Sequence, residues 1–459
     1  MLIRGAQVHG HGLADVRLAG GRVAALGQLA PQDGEPVIEA KGTALLPGLH
    51  DHHVHLAGLA ARRASVWCGP PEVQDGDQLA VRLQQPGTGW LRGIGYHESV
   101  MGLPDAEALD RLVPDRPLRM QHRGGRMWLL NSRALDDLLA RAAPPPGLER
   151  KDGRFTGHLF DEDAWLRSAL GSTMPDFAML AGELAALGVT GITDMTPQNE
   201  AHAAQHFAQQ RQAGALLQTA HLAGSLALAE APCEDWTLGP VKLHLHEAAL
   251  PDFDETLALV RAAHAQDRGI AVHCTTEVEL VFTLALLEDA GAHPRDRIEH
   301  ASIADPDHIA RIAKLGLPVC VQPHFIAERG DTYLAEVERV HHANLYRLAS
   351  LADAGISLCG GSDAPFGLVD PWAAMRAAVL RRAPSGQVIG AGEALSPEAA
   401  IALWLADPAN PRRARRIEPG VAADLVLLDR PWQAARESLS SGLVSRVWIG
   451  GNLVHQPPA

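Results

Sequence analysis

Short apolar runs alternate with helical patterns along most of this chain, and this alternation restricts the possible fold more than any other feature. The helical patterns cover residues 254–266, 277–290, 305–315 and 344–354. Strand and helix patterns that alternate at this spacing predict parallel βα units. Eight strand-like runs can be placed, at 46–55, 188–194, 216–222, 240–246, 269–273, 297–300, 317–322 and 355–363. Eight such units predict an α/β fold of the (β/α)8 barrel type, with the active site at the carboxyl ends of its strands.

The first strand-like run ends in Leu46-Pro-Gly-Leu-His-Asp-His-His-Val-His55. Residues two apart on a strand share a face, so we expect His53 and His55 to project together. Two neutral imidazoles on one face suit a borderline metal such as zinc. A His-x-His pair alone is more often solvated or hydrogen bonded. Here four other strand-like runs also end in a residue that can bind metal, so the pattern predicts that His53 and His55 are metal ligands.

Lys242 lies inside an apolar strand-like run, where burial disfavours a charged ammonium. A buried lysine that pairs with a carboxylate is one interpretation. The ligand candidates elsewhere favour a second one, in which burial lowers the pKa and the free amine reacts with carbon dioxide to give a carbamate. The two oxygens of that anion can bridge two metal ions. We therefore predict that Lys242 is carboxylated on its side-chain nitrogen.

Several motifs together resemble the amidohydrolase superfamily, and within it amidohydrolase family 3, which includes N-substituted formamide deformylases. Gly361-Ser-Asp-Ala-Pro365 and Ile298-Glu-His-Ala301 look like two motifs of that branch. Gly95-Tyr-His-Glu98 and Leu130-Asn-Ser-Arg-Ala-Leu135 resemble segments that the branch carries between strands 1 and 2. The resemblance covers almost the whole chain. It implies a series of metal ligands that consists of His53, His55, Lys242, His273, His300 and Asp363.

This ligand series implies a centre with two divalent metal ions, with zinc as the first choice. One ion is expected on His53, His55 and Asp363. The second is expected on His273 and His300, with the carboxylated lysine and a water-derived hydroxide as bridges. Asp363 is also expected to act in catalysis, because its free oxygen can take the proton of the hydroxide and pass it to the departing amine.

Further residues are predicted to contact the substrate. His246 lies four positions after Lys242 and would share its face if the strand runs that far. Glu277 lies four positions after His273, where it can begin the next helix or reach the substrate. The resemblance alone suggests three more contacts, in the segment between strands 1 and 2, at His97, Glu98 and Arg123. For Arg123 a surface position is the alternative.

The two chain ends predict a smaller second domain. Residues 1–46 and 415–459 contain alternating apolar strands and glycine turns, which predicts one composite β-sandwich made from both ends. The barrel itself, a metal-dependent hydrolase domain of the TIM type, is expected within 47–414. The segment 57–176 is too long for an ordinary βα loop, so we expect an insertion that covers the mouth of the active site.

Composition and charge argue against several classes of function. A formal net charge of −14 argues against binding to nucleic acid. No run is long and apolar enough to span a bilayer, and the N-terminus lacks the apolar core of a signal peptide. The five cysteines form no Cys-x-x-Cys pair, as in a reduced cytoplasmic protein. We therefore expect a cytoplasmic enzyme that acts on a small amide-type molecule, with a homodimer as the commonest assembly.

The predicted activity is metal-dependent hydrolysis of a non-peptide carbon-nitrogen bond, in an amide, an N-substituted formamide or a cyclic amide. A mononuclear deaminase would need no bridging lysine and usually has a glutamate soon after the strand 5 histidine, whereas Cys-Thr-Thr follows His273. A non-catalytic barrel that serves as a scaffold would have lost ligands, and this chain retains all six. A metal-dependent decarboxylase or isomerase stays open, because fold and metal site do not fix the reaction.

Overall fold

The computed structural model describes residues 1–171, 174–233 and 235–457. The chain forms two compact units, Met1–Leu56 with Asp176–Ala459 and, separately, Ala57–Pro175. The larger unit contains a parallel barrel and a second sheet, and the smaller unit has a sheet of its own. Among the described residues, no helix combines the length and the apolar character needed to cross a bilayer.

Eight parallel strands form the barrel, and strands that follow one another in the chain are neighbours in the sheet. We number them barrel strands 1 to 8; they are Leu49–Val54, Val189–Asp194, Thr219–Gly224, Thr237–His244, Ile270–Cys274, Arg297–His300, Val319–Val321 and Leu358–Gly360. Backbone hydrogen bonds join the two ends of this sheet. The amide of Asp363 donates to the carbonyl of His53 over 2.6 Å, and the amide of His55 donates to the carbonyl of Ala364 over 2.8 Å. The predicted (β/α)8 barrel is confirmed.

Helices link successive barrel strands, as parallel strands require, with the 3-10 helix Leu226–Glu230 after strand 3. The α-helices of the larger unit, of which the last three follow strand 8, are Ala178–Ala186, Ala201–Gln212, Phe253–Ala265, Glu277–Ala290, Pro306–Leu315, His324–Glu336, Leu348–Asp353, Pro371–Leu380, Pro397–Leu405 and Trp432–Ala435. Thr276 and Asp305 each form a capping box at the start of a helix. A capping box satisfies backbone amides of the first helical turn, which have no partner within the helix. The boxes therefore stabilise helix starts that lie within a few residues of the ends of strands 5 and 6.

The predicted boundaries differ from the structure at several strand and helix ends, and three of these differences lie close to the predicted site. Strand 4 ends at His244 and not at His246, and the 3-10 helix Glu247–Ala249 follows it. The helix predicted for 344–354 covers Leu348–Asp353, because Tyr346 has a φ of +48°, which a right-handed helix cannot contain. Strand 8 ends at Gly360, and Asp363 lies in the turn that follows, with a φ of +50°.

The second sheet of the larger unit is built from both chain ends. In spatial order its strands are Asn452–His455, Val444–Ile449, Leu425–Leu428, Ala44–Pro47, Leu2–Val8, Gly12–Ala19 and Arg22–Gly27, with Val37–Glu39 beside Leu2–Val8. One buried cluster holds side chains of both ends, including Ile3, Val16, Leu425 and Trp448. Burial of this shared apolar surface stabilises the pairing of the two ends. The predicted composite β-structure is therefore confirmed.

The smaller unit, Ala57–Pro175, has a six-stranded sheet. Its strands in spatial order are Leu148–Lys151, Arg154–Phe160, Met127–Leu130, Leu118–His122, Leu91–Tyr96 and Val66–Trp67. Its helices are Gly76–Leu83, Ala106–Leu112, Ser132–Leu139 and Asp163–Leu170, after Leu56–Arg63 at the start of the unit. The unit follows strand 1 and precedes strand 2, as predicted for the insertion. The exact domain boundaries and its role at the mouth of the active site stay predictions.

The close approach of Gly48 to Thr190 provides a test of the packing between strands 1 and 2. A Cβ on Gly48 would lie 2.2 Å from Oγ1 of Thr190, and Thr190 is fully buried. Gly48→Ala is therefore expected to lower the free energy of unfolding by about 1–3 kcal/mol through overpacking. A fall in the thermal unfolding midpoint, measured by circular dichroism, checks this expectation.

Gly182→Ala is the matched control. Gly182 lies exposed in the helix Ala178–Ala186, and no atom lies within 4 Å of the added Cβ. Alanine is favoured over glycine inside a helix, so this variant should unfold at the wild-type temperature or above it. Equal midpoints for the two variants would contradict the packing argument.

Candidate metal centre

Three of the predicted ligands meet where barrel strand 1 ends. Nε2 of His53 and Nε2 of His55 each lie 3.3 Å from Oδ1 of Asp363. The ligand atoms of all three residues lie within 4.8 Å of one another. The alternation of strand 1 places both imidazoles on one face, and the hydrogen bond from the Asp363 amide to the His53 carbonyl brings the carboxylate to them. The three side chains can therefore bind one metal ion.

A buried ion pair orients His53. Oε2 of Glu299 lies 2.6 Å from Nδ1 of His53, and Oε1 accepts a hydrogen bond from Nε of Arg297 over 2.5 Å. Burial alone would raise the pKa of Glu299, but the positive charges of Arg297 and Lys242 hold it below its usual value. The ionised carboxylate accepts the proton of Nδ1, which leaves Nε2 of His53 free to bind a metal.

Lys242, on strand 4, is buried beside the same group. The residue is 4% exposed, and its Nζ has no hydrogen-bond partner among the described residues. Burial lowers the pKa of Lys242, and the carboxylates of Glu299 and Asp363 oppose this effect in part. A lowered pKa increases the fraction of neutral amine, which is the nucleophilic form.

His273 and His300 lie side by side at the ends of strands 5 and 6, with their ring centroids 4.5 Å apart. Nδ1 of His300 lies 2.8 Å from Oε1 of Gln322, and Nε2 is buried without a partner among the described residues. Burial lowers the pKa of both imidazoles, that of His273 to about 3. Both rings are therefore neutral, which is the form that binds metals.

One buried carboxylate holds the loops after strands 4 and 5 together. Glu279 accepts hydrogen bonds from the amides of Thr275 and Glu247 over 2.7 and 3.1 Å. The hydroxyl of Thr275 also donates to Glu279 over 3.0 Å and lies 3.4 Å from Nε2 of His273. Glu279 thus positions Thr275, and Thr275 in turn restrains the ring of His273.

The donor set fits divalent metal ions. Imidazole and carboxylate donors suit zinc, manganese, iron or cobalt. Nζ of Lys242 and Nε2 of His300 belong to this set, and both are buried without a partner among the described residues. Buried polar atoms in proteins are normally satisfied. A bound metal and a modified lysine would satisfy both atoms.

Five of the six predicted ligands, all except His300, line a cavity of about 360 Å³. Sequence reasoning missed His244, whose ring stacks on that of His273 with 4.3 Å between the centroids. The signal was present, because His244 lies two positions after Lys242 on strand 4 and shares its face. No sequence pattern indicated the lining residues that come from loops and helices after the strands, among them Ile303, Phe325, Arg329, Tyr333, Tyr346 and Phe366.

The structure places the other predicted substrate contacts in varied surroundings. His246 is exposed beyond the end of strand 4, with its ring centroid 4.6 Å from that of His244. Glu277 begins its helix, as predicted, and its carboxylate lies 3.5 Å from Nδ1 of His341. The other three predicted contacts, His97, Glu98 and Arg123, belong to the smaller unit. Oε2 of Glu98 lies 2.8 Å from Nε2 of His122. Substrate contacts at all five positions stay predictions.

Residues 36–455 match a sequence model described as the amidohydrolase family. This chain belongs to the amidohydrolase family. The putative amidohydrolase YtcJ of Bacillus subtilis is 26% identical, over 91% of this chain and 90% of that protein. The N-substituted formamide deformylase of Arthrobacter pascens is 25% identical, over 96% of this chain and 94% of that protein. An uncharacterized metal-dependent hydrolase of Pyrococcus horikoshii superposes with a TM-score of 0.77 at 20% identity, over 94% of this chain and 97% of that chain.

Membership in the amidohydrolase family confirms the predicted class of protein. It is an enzyme, an amidohydrolase that acts on carbon-nitrogen bonds other than peptide bonds. The alternative of a non-catalytic scaffold is therefore not supported. The structural similarity to the Pyrococcus protein supports the same fold.

The contact between Gln322 and His300 provides a test of the centre. Gln322→Leu removes the acceptor that orients His300 and keeps a side chain of similar length. Loss of such a supporting hydrogen bond is expected to weaken metal binding about 10- to 100-fold. Competition with a chromogenic chelator measures the affinity. Gln212→Leu is the control, since Gln212 is exposed at the end of the helix Ala201–Gln212 and donates a hydrogen bond to Asp235. Unchanged affinity in both variants would show that Gln322 does not support the centre.

Proposed function

We propose that this amidohydrolase cleaves an amide, an N-substituted formamide or a cyclic amide with two divalent metal ions, and that zinc is the metal used. His53, His55 and Asp363 would hold one ion, and His273 with His300 would hold the other. Lys242, carboxylated on its side-chain nitrogen, would join the two groups. The observation that carries this proposal is the Nζ of Lys242, which is buried and has no partner among the described residues.

The imidazoles around Lys242 support the carboxylated form. Burial and then the positive charge of Lys242 lower the pKa of His53 and of His273, whereas Glu299 and Asp363 favour the charged amine of Lys242. A positive ammonium there would oppose metal binding by these imidazoles. Carboxylation replaces that positive charge with a negative one, which attracts divalent ions.

His53, His55, Asp363, His273 and His300 would hold two metal ions whose chemistry would be to generate hydroxide at neutral pH and to polarise the substrate carbonyl. The protein contributes the proton transfers. One oxygen of Asp363 faces the two imidazoles of strand 1 at 3.3 Å, and the second oxygen is available to accept a proton from the attacking nucleophile. Asp363 then donates this proton to the amine nitrogen as the carbon-nitrogen bond breaks, so the amine leaves in its neutral form.

The metal content of the protein tests the role of Lys242. Wild-type protein grown with zinc and bicarbonate is expected to contain about two zinc ions per chain by elemental mass spectrometry, as a bridged pair requires. Lys242→Met keeps the length and the apolar character of the buried chain but cannot form a carbamate. It should hold less than two equivalents and should lose the hydrolytic activity.

Lys314→Met serves as the control, because Lys314 lies in the last turn of the helix Pro306–Leu315. This variant should keep the metal content of the wild type. Two equivalents in Lys242→Met, or one or fewer in the wild type, would contradict a carbamate-bridged pair and would favour a mononuclear, deaminase-like enzyme.

The proton transfer by Asp363 has a separate test. Asp363→Asn keeps an oxygen for the metal but removes the basic carboxylate, so kcat should fall about 100- to 10,000-fold. Turnover is compared at equal metal content, with Asp254→Asn as a control on the exposed start of the helix Phe253–Ala265. Wild-type turnover in a metal-loaded Asp363→Asn enzyme would exclude this role.

A further inference from the structure

The cavity beside the metal centre has an aromatic wall. Helix His324–Glu336 contributes Phe325 and Tyr333, and Tyr346 and Phe366 come from the loops after strands 7 and 8. The hydroxyls of Tyr333 and Tyr346 lie 3.1 Å apart. Such a surface favours flat apolar groups, because aromatic side chains offer large contact areas and defined ring-stacking geometries.

Arg329 is the charged residue of this wall. Its guanidinium carbon lies 4.4 Å from the centroid of the Phe325 ring, and one of its nitrogens donates to the carbonyl of Phe366. These two contacts hold the side chain, which is half-buried, in one orientation. A guanidinium has five N–H donors in a planar fork, so donors remain for a ligand.

Arg329 has no ionic partner in the cavity. Among the described residues, no carboxylate lies within ion-pair distance of it. Asp363 is the one carboxylate among the residues that line the cavity, and it belongs to the metal centre. A half-buried guanidinium without a counter-charge suits a planar anion such as a carboxylate, which it can bind through two hydrogen bonds.

We propose that the substrate is an N-acylated amine that bears a carboxylate and a flat apolar group, as in an N-formyl aromatic amino acid. This inference rests on the proposed hydrolysis of amides. The carboxylate binds Arg329, and the flat group packs against Phe325, Tyr333 and Phe366. The cavity of about 360 Å³ lies within the range of small-molecule sites. Arg329 is thus a specificity-determining residue and takes no part in the bond cleavage.

Matched substrates test this inference on the zinc-loaded enzyme. N-formylphenylalanine and N-formylphenethylamine share the aromatic ring and the formamide, and they differ in the carboxylate. The wild type is expected to favour the carboxylated compound about 10- to 100-fold in kcat/KM, the usual effect of a charge-assisted hydrogen bond. N-formylalanine, which lacks the ring, should also be a poorer substrate than N-formylphenylalanine.

Arg329→Gln should abolish this preference. The ratio of kcat/KM between the two formamides is expected to fall to about 1, because KM rises for N-formylphenylalanine once the guanidinium is lost. Arg339→Gln is the control, since Arg339 is exposed in the 3-10 helix Arg339–Asn344. It should keep the wild-type ratio. A wild type that does not distinguish the two compounds, or an Arg329→Gln variant that still does, would overturn the inference.

Equilibrium binding separates this inference from the proposed function. Isothermal titration with the two formamides uses the zinc-loaded Asp363→Asn protein, alone and combined with Arg329→Gln, so that hydrolysis does not disturb the measured selectivity. Selective binding that is lost in Arg329→Gln without hydrolysis of either compound would support the carboxylate site and contradict the proposed hydrolysis of formamides. Hydrolysis of both compounds without selectivity would support the hydrolysis and overturn the carboxylate site. Absence of binding by either compound would also overturn it.

Discussion

The candidate metal centre depends on one ion pair in the barrel core, between Arg297 and Glu299. Both side chains are buried, and either charge alone would be costly to remove from water. Glu299 uses one oxygen for Arg297 and the other for His53, over 2.5 and 2.6 Å. Arg297 also donates to the carbonyl of His52 over 2.7 Å. The pair therefore fixes both the backbone of strand 1 and the ring of its first ligand.

Burial explains why the ligands are ready to bind metal. It lowers the pKa of His53, His273 and His300, so the imidazoles stay neutral at physiological pH and do not repel a cation. The same effect lowers the pKa of Lys242. In the proposed function, the residues at the strand ends would carry the chemistry and the aromatic wall beside them would select the substrate.

Much of the fold and of the metal centre was predictable, since both follow local rules. Strand periodicity and the polar residues at strand ends predicted the barrel and brought His53, His55 and Asp363 together. The prediction was less accurate where the chain leaves the strands. It extended strand 4 to His246, although the strand ends at His244, and it extended a helix through Tyr346, whose φ is +48°. Loop conformation depends on tertiary contacts, which a periodic pattern does not contain.

The sequence by itself determined the barrel, the composite sheet of the two chain ends and the candidate metal-binding side chains. These features arise from apolar periodicity and from residue types at strand ends, which are local properties of the chain. The tertiary structure decided what surrounds them. Glu299 contacts His53, which lies 246 positions away in the sequence. Arg329 lines the cavity from the helix His324–Glu336, which follows strand 7. Such contacts between distant segments depend on how helices pack on the sheet, and short-range sequence patterns do not specify that packing.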